Sequence, residues 1–205
     1  MTSPNLITVC LSAYNAERFV ARAIESVLAQ TYTHFRLVIV NDASTDGTLD
    51  IVKKFLTDSR VCVIDLKKNI GTYAAKNLVL KNFAHGVYWA HHDADDYSEP
   101  TRFERQLQYL HTHDLDGCGT AVDEIYEPGI EPQIPSPEPL EIGEDGLRHR
   151  INQYPERVTL DTISVDIERL AQLKIFMNGT PLIRMQTMKE LGGFDGRTYT
   201  GADSD

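Results

Sequence analysis

The first half of the chain alternates short apolar runs with helical patterns, which restricts it to few folds. The runs cover residues 6–11, 37–40, 61–64 and 87–90. Both faces of each run are apolar, which is typical of parallel strands that helices cover on both sides. Amphipathic helical spacing occurs in the stretches 20–28, 49–56 and 72–83, and again after Pro100. The pattern predicts an α/β fold: a Rossmann-like, doubly wound, mostly parallel sheet flanked by helices.

Three polar clusters follow the first, second and fourth apolar runs. They are Ser12-Ala13-Tyr14-Asn15, the stretch 41–48, and Asp93-Ala94-Asp95-Asp96. Ligands of doubly wound folds bind at the carboxyl ends of the strands. We therefore expect the three clusters to meet at one edge of the sheet and to form the functional site.

Members of the first two clusters have both a ligand-binding and a structural interpretation. Tyr14 could stack on a base, and Asn15 could cap the first helix. Asp42 could accept hydrogen bonds from a base N–H or a ribose hydroxyl. Alternatively, Asp42 and Asp46 could satisfy backbone donors before the helix that starts near Thr48. We favour ligand binding for Asp42 and capping for Asp46.

The third cluster places three carboxylates within four positions at the end of a buried run. Clustered negative charges repel one another and resist desolvation, and a divalent cation relieves that repulsion. Mg²⁺ and Mn²⁺ prefer such oxygen ligands and share them with phosphate oxygens and water. Asp93 and Asp95 lie on one side of an extended backbone, so we predict that they bind the metal. The alternative is that the acids cap the helix after Pro100.

Three other polar residues near the clusters are weaker candidates for the functional site. Lys76 begins the third predicted helix, where its charge could meet a diphosphate, although a single lysine is more often a solvated surface residue. His91 and His92 adjoin the acids, and we expect both to have packing or hydrogen-bonding roles, because imidazole is a poor ligand for Mg²⁺.

Composition limits the class of protein. The net charge of −10 argues against a nucleic-acid partner, which a basic face would attract. No segment reaches the roughly 20 apolar residues that span a bilayer, so we expect a cytoplasmic protein. It would contact the inner face of the membrane only through residues beyond position 205. The three cysteines are widely spaced, which favours free thiols in a reducing compartment.

The second half is less regular. Residues 122–142 contain five prolines and many acids, and we interpret them as a long loop or lid. The pattern predicts a short helix over 163–170, a strand over 181–183, and a helix over 185–191 that Gly192 and Gly193 end.

Taken together, the motifs resemble those of the family 2 glycosyltransferases, which have the GT-A fold. The resemblance is carried by the three clusters above, by Asn69-Ile70-Gly71 with Lys76-Asn77, and by Leu191-Gly192-Gly193-Phe194-Asp195. It covers most of residues 5–121 and 178–205. Each motif alone is modest, but five in this order and at these spacings are highly specific.

The resemblance implies a role for each motif in transfer from a nucleotide-diphospho-sugar, with a UDP-sugar favoured. The implied donor-binding residues are Ser12, Ala13, Tyr14, Asn15, Asp42, Lys76, Asp93, Ala94 and Asp95. Within this set, Tyr14 and Asp42 hold uracil, and Asp93 and Asp95 form the DXD motif that places Mn²⁺ or Mg²⁺ on the diphosphate. Asp203 is the implied general base of an inverting displacement, and Asp195 is structural.

The resemblance also implies an organisation of the chain and a biological setting. Residues 1–205 form a single GT-A domain, with a nucleotide-sugar-binding half at 1–121 and an acceptor-side half at 122–205 that continues beyond the last residue. The acceptor is a hydroxyl of a glycan, a lipid-linked sugar or a protein, as in the synthesis of cell-surface polysaccharides and glycoconjugates.

Three other functions compete with this interpretation. The first is a non-catalytic domain that binds a nucleotide-sugar or a glycan, because Ala202 stands where the family often has Glu before the base. A phosphohydrolase that uses Asp93 and Asp95 is less favoured, because Tyr97 stands where such motifs prefer Thr or Val. A nucleotidyltransferase would place a glycine-rich phosphate loop after the first strand, and this chain has none there.

Overall fold

The structure is a computed structural model. It describes residues 5–120, 122–126, 141–142, 148–152, 157–158 and 180–194. No helix within these ranges is both long and apolar enough to cross a membrane.

Ten strands form two sheets in the described residues. In chain order they are β1 Ile7–Ala13, β2 Phe35–Asn41, β3 Val61–Asp65, β4 Tyr88–Asp93, β5 Gly117–Cys118, β6 Val122–Tyr126, β7 Glu141–Ile142, β8 Arg148–Asn152, β9 Arg157–Val158 and β10 Leu182–Arg184. The larger sheet has the order β3-β2-β1-β4-β10-β5-β9, and β6-β8-β7 form the smaller one. The four long strands β1 to β4 pair in parallel, whereas the short strand β10 runs antiparallel to both β4 and β5.

Helices cover both faces of the larger sheet, as the two-sided apolar runs predict. They are α1 Val20–Leu28, α2 Thr48–Lys53 with a 3₁₀ turn at Lys54–Thr57, α3 Thr72–Asn82, α4 Arg102–His113 and α5 Met185–Glu190. One core cluster packs α1, α2 and α4 against the sheet, and a second packs α3 and α5 against the opposite face. The predicted α/β fold is confirmed, together with the first four strands and helices.

The structure corrects one expectation for the second half. Residues 122–142 are not all loop: β6 pairs antiparallel with β8, and β7 pairs with the other edge of β8. The prolines suggested a loop, but the first of them is Pro128, so β6 lies entirely before it. The helix predicted over 163–170 lies outside the described residues. Gly192 and Gly193 follow α5 with φ of 77° and 86°, left-handed conformations that suit glycine and end the helix.

Candidate functional site

Strand register brings the three polar clusters together. Ser12 lies opposite Asp93 across the β1–β4 pair, and Ala13 lies opposite Asn41 across the β1–β2 pair. The N–H of Asp42 donates to the carbonyl of Ala13 at 2.8 Å. The end of β1 therefore lies between Asp42 on one side and the acid cluster on the other, and the predicted convergence is confirmed.

Asn15 joins the loops that follow β1 and β2. It has a positive φ of 48°, and its Oδ1 accepts the N–H of Thr45 at 2.8 Å. Its own N–H donates to Ser44 Oγ at 3.1 Å. Asn15 does not cap α1, which was one of its possible roles, because α1 begins only at Val20 and has no side-chain cap. Asn15, with its left-handed backbone, instead bonds to Ser44 and Thr45 in the loop after β2.

Asp46 satisfies backbone donors at the start of α2, as predicted, from the position before the N-cap residue Gly47. Its Oδ1 accepts the N–H of Thr48 at 3.0 Å, and its Oδ2 accepts the N–H of Glu17 at 3.1 Å. Glu17 in turn accepts the N–H of Gly47 at 2.7 Å. These bonds satisfy backbone donors at the start of the helix and fix the loop after β1 to it.

Asp42 has a structural role, but its backbone donors precede α3, whereas the structural alternative had placed them before α2. The carboxylate is almost fully buried, and its two oxygens accept the N–H groups of Ile70 and Gly71, each at 2.8 Å. Gly71 has a φ of 83° and directly precedes α3. Asp42 thus fastens the connection between β3 and α3 to the end of β2. Each carboxylate oxygen keeps a further acceptor site, so binding of a ligand by Asp42 remains a prediction.

We expect Asp42→Asn to destabilise the ligand-free protein by about 1–3 kcal/mol, because an amide cannot accept both N–H groups. Urea unfolding without ligand measures this, with Asp50→Asn, an exposed acid on α2, as the charge-matched control. Unchanged stability combined with weaker UDP binding would leave Asp42 with a ligand role alone.

The other candidates after β1 differ in exposure. Ala13 is buried in the core, Ser12 is half-buried, and the Tyr14 side chain is 51% exposed. Ile70, held by Asp42, is also an exposed apolar residue. Tyr14 therefore presents an aromatic surface to solvent at the edge where the clusters meet.

Lys76 is buried, so the interpretation of a solvated surface lysine is wrong. Only 1% of its side chain is exposed, and its Nζ lies 3.6 Å from Oδ1 of Asp93. The ammonium also lies 5.7 Å from the ring centroid of Phe194. A buried ammonium needs a compensating charge, and Asp93 at the end of β4 supplies it.

The remaining acids of the cluster are more accessible than Asp93. Asp95 and Asp96 are exposed, whereas Ala94 between them and Asp93 is nearly buried. Desolvation by neighbouring atoms, with the negative charges of Asp93 and Asp95, raises the pKa of the Asp96 carboxyl to about 6. The negative charges of Asp93 and Asp95 thus add to the effect of desolvation, in the direction that the sequence suggests.

Arg102 lies on the face of the sheet opposite to Lys76 and contacts the strand that carries the acid cluster. Its buried guanidinium donates to Ser98 Oγ at 2.9 Å, to Gln106 Oε1 at 3.2 Å and to the carbonyl of His91 at 3.3 Å. Burial lowers its pKa to about 10, against the opposing effect of Asp96 and Asp93. It remains a cation at neutral pH, and it ties α4 to the strand that carries the acids.

The two histidines before the acids are buried and neutral at pH 7. Burial lowers the pKa of His92 to about 4, and burial together with the charges of Lys76 and Arg102 places that of His91 well below its usual value. His92 Nδ1 lies 2.7 Å from the carbonyl oxygen of Asp93. The His91 ring packs edge-on against Phe194. Both contacts agree with the expected packing and hydrogen-bonding roles.

The donor set of the cluster suits a metal that a diphosphate shares. Within the described residues, no three His, Cys, Asp or Glu side chains are arranged to hold a metal by themselves. Mg²⁺ is commonly bound by one or two carboxylates together with substrate phosphates and water. Asp93 and Asp95 fit that arrangement rather than a cage built from protein alone. Asp195 and Asp203 lie outside the described residues.

Comparison with known proteins identifies the family. The family model described as glycosyl transferase family 2, which represents the sequences of that family, matches residues 8–167. The chain belongs to this family. The resemblance inferred from the motifs is therefore confirmed, and the fold is the GT-A fold.

Relatives and solved structures extend this result. The chain is 39% identical to EpsE of Bacillus subtilis over 145 residues, which are 67% of this chain and 52% of EpsE. It is 36% identical over 107 residues, 52% of this chain and 42% of the relative, to WfaP of Escherichia coli. The name of WfaP specifies a UDP-Glc:α-D-GlcNAc-diphosphoundecaprenol β-1,3-glucosyltransferase.

The mannosyltransferase PcManGT of Pyrobaculum calidifontis, solved with GDP-Man and Mn²⁺, superposes with a TM-score of 0.63 at 18% identity. The match covers 98% of this chain and 50% of that protein. The chain thus spans about half the length of these three proteins.

Proposed function

We propose that the chain carries the donor site of an inverting, metal-dependent glycosyltransferase that uses a UDP-sugar. The observation that carries the proposal is the strand register, because Asp42, the residues after β1 and the acid cluster lie side by side at the carboxyl edge of the sheet. Family membership supports the transferase class. The name of WfaP supports UDP as the nucleotide.

The donor would lie across this edge. Tyr14 would stack on uracil, and Asp42 would accept a hydrogen bond from the base, with Ser12, Ala13 and Asn15 shaping the floor between them. The diphosphate would lie beside the acid cluster, where the charge of Lys76 offsets part of the negative charge of Asp93. The chain thus offers separate surfaces for the base and for the diphosphate.

Asp93 and Asp95 would hold Mn²⁺ or Mg²⁺, and Asp95 is the more exposed of the two. The bound ion supplies Lewis-acid stabilisation of the charge that develops on the departing diphosphate. The PcManGT complex with Mn²⁺ supports a divalent ion in a protein of this fold.

On the acceptor side, Asp203 would remove the proton of the attacking hydroxyl. Attack from the face opposite to the nucleotide inverts the anomeric carbon. A positioned base of this kind contributes on the order of 10²–10⁴ in rate. We assign the donor half to residues 1–121 and the acceptor half to residues 122–205. The acceptor is a glycan, a lipid-linked sugar or a protein in cell-surface polysaccharide or glycoconjugate synthesis.

Asp203→Asn separates donor binding from catalysis. We expect this variant to bind UDP with Mn²⁺ as the wild type does, but to lose about 10²-fold or more in transfer, because the amide cannot act as a base. Calorimetry measures binding. Release of UDP from UDP-glucose with diphosphoundecaprenol-linked GlcNAc measures transfer.

Ser204→Ala, next to the proposed base, is the matched control and should retain activity. Full transfer by Asp203→Asn would remove Asp203 from the mechanism. A wild type that binds UDP with Mn²⁺ but releases none from a panel of UDP-sugars and acceptors would favour the non-catalytic binding domain.

A further inference from the structure

The side chain of Asn77 holds both backbone groups of Phe194. Its Nδ2 donates to the carbonyl of Phe194 at 2.8 Å, and its Oδ1 accepts the N–H of Phe194 at 2.8 Å. The two residues are 117 positions apart in the chain. One amide thereby acts as a strand partner for a single residue beyond α5. We call this pair of hydrogen bonds the Asn77 clamp.

The geometry of the clamp favours an amide at position 77 and a glycine at position 193. Asparagine is the side chain of this length that both donates and accepts, whereas aspartate only accepts when ionised. Gly193 has a φ of 86°, and a Cβ there would collide with Oδ1 of Asn77. The clamp therefore depends on the Gly193 turn as well as on the amide.

The clamp fixes the Phe194 ring over the strand that carries the acids. The ring centroid lies 6.0 Å from that of Trp89 and 5.6 Å from that of His91. Side chains two positions apart share a face of a strand, so Asp93 is the next residue on this face. Lys76 connects the two groups, because its Nζ lies 5.7 Å from the Phe194 ring and 3.6 Å from Asp93 Oδ1.

We propose that Asn77 is a positioning residue for the acceptor side of the site. By clamping Phe194, it sets where the segment that carries Asp195 and Asp203 begins, on the face of β4 that ends in Asp93. The proposal deepens the proposed function, and the effect on catalysis that it predicts rests on that function. Asn77 is not among the residues that we propose to bind the donor or to act as the base. It should therefore affect turnover and not donor affinity.

Asn77→Asp in the full-length protein tests this separation. The side chain keeps its shape, but the carboxylate faces the carbonyl of Phe194 without a proton to donate. We expect the dissociation constant of UDP with Mn²⁺ to stay within about twofold of the wild type. The kcat for UDP release from UDP-glucose should fall by about 10²-fold, the loss that a displacement of roughly 1 Å causes. Asn82→Asp is the matched control, because Asn82 is an exposed residue of α3 whose side chain donates to the carbonyl of Leu78 in the same helix.

Two outcomes would overturn the proposal: wild-type turnover in Asn77→Asp, or a loss of UDP affinity as large as the loss of kcat. A second measurement examines the clamp without catalysis. Trp89 is the only tryptophan, so its fluorescence reports on the cover that Phe194 gives it. Acrylamide should quench Trp89 more strongly in Asn77→Asp than in Asn82→Asp. Equal quenching would show that the clamp does not hold Phe194, whereas failure of the wild type to bind UDP would count against the proposed function alone.

Discussion

Asp95→Asn is expected to abolish most of the gain in UDP affinity that Mn²⁺ provides. Asp95 is one of two exposed acids just beyond the end of β4, and Asp93 contacts the buried Lys76. Replacing the carboxylate with an amide removes an anionic ligand from a hard cation. The affinity gain from Mn²⁺ should fall by roughly tenfold or more, because even groups that only support a metal ligand contribute about that much, and transfer should fall with it. Titration of UDP with and without Mn²⁺ measures the first effect.

The control for this prediction is Asp50→Asn, which makes the same change of charge on the exposed surface of α2. It should bind UDP and Mn²⁺ as the wild type does. If Asp95→Asn keeps the full affinity gain from Mn²⁺, or if the wild type binds UDP equally well without the metal, the acids do not bind the metal as proposed.

The sheet was predictable because its strands are buried on both faces. Continuous apolar runs such as those in β1 and β2 have no competing interpretation once helical patterns separate them. The position of the site followed from the same pattern, since parallel strands bring their carboxyl ends to one edge. The sequence was less informative for β6, where prolines farther along the chain concealed a five-residue strand.

The connections within the site were not predictable, because they join residues that are distant in the chain. Asp42 accepts N–H groups 28 and 29 residues away, and backbone donors carry no sequence signal. Lys76 follows Ala75 in the core of α3, but the helical pattern over 72–83 did not indicate that a lysine would lie on the buried face. The Asn77 clamp depends on a turn 117 residues away. Periodicity predicts elements, whereas these contacts depend on how the elements dock.

Arg102 makes both local and docking contacts, because its guanidinium also reaches the carbonyls of His91 and Pro181, 11 and 79 residues away. Its replacement is expected to cost the most stability. Arg102→Met would leave Ser98 Oγ, Gln106 Oε1 and the carbonyl of His91 without their buried donor. Each unsatisfied buried group costs about 1–3 kcal/mol. We expect a total loss of about 3 kcal/mol or more, partly offset because the buried charge is also removed. For a chain of this length, that loss lowers Tm by about 6–12 °C.

Arg105→Met, on the exposed side of α4, is the matched control and should change stability by less than about 0.5 kcal/mol. Arg102→Lys tests the shape of the donor, because lysine keeps the charge but lacks the planar fork. In urea unfolding, the stability of Arg102→Lys should lie between those of the wild type and Arg102→Met. If Arg102→Met unfolds at the wild-type urea concentration, the guanidinium does not tie α4 to β4. If it unfolds early and also loses UDP affinity while still folded, the anchoring of β4 by Arg102 helps to place the acids.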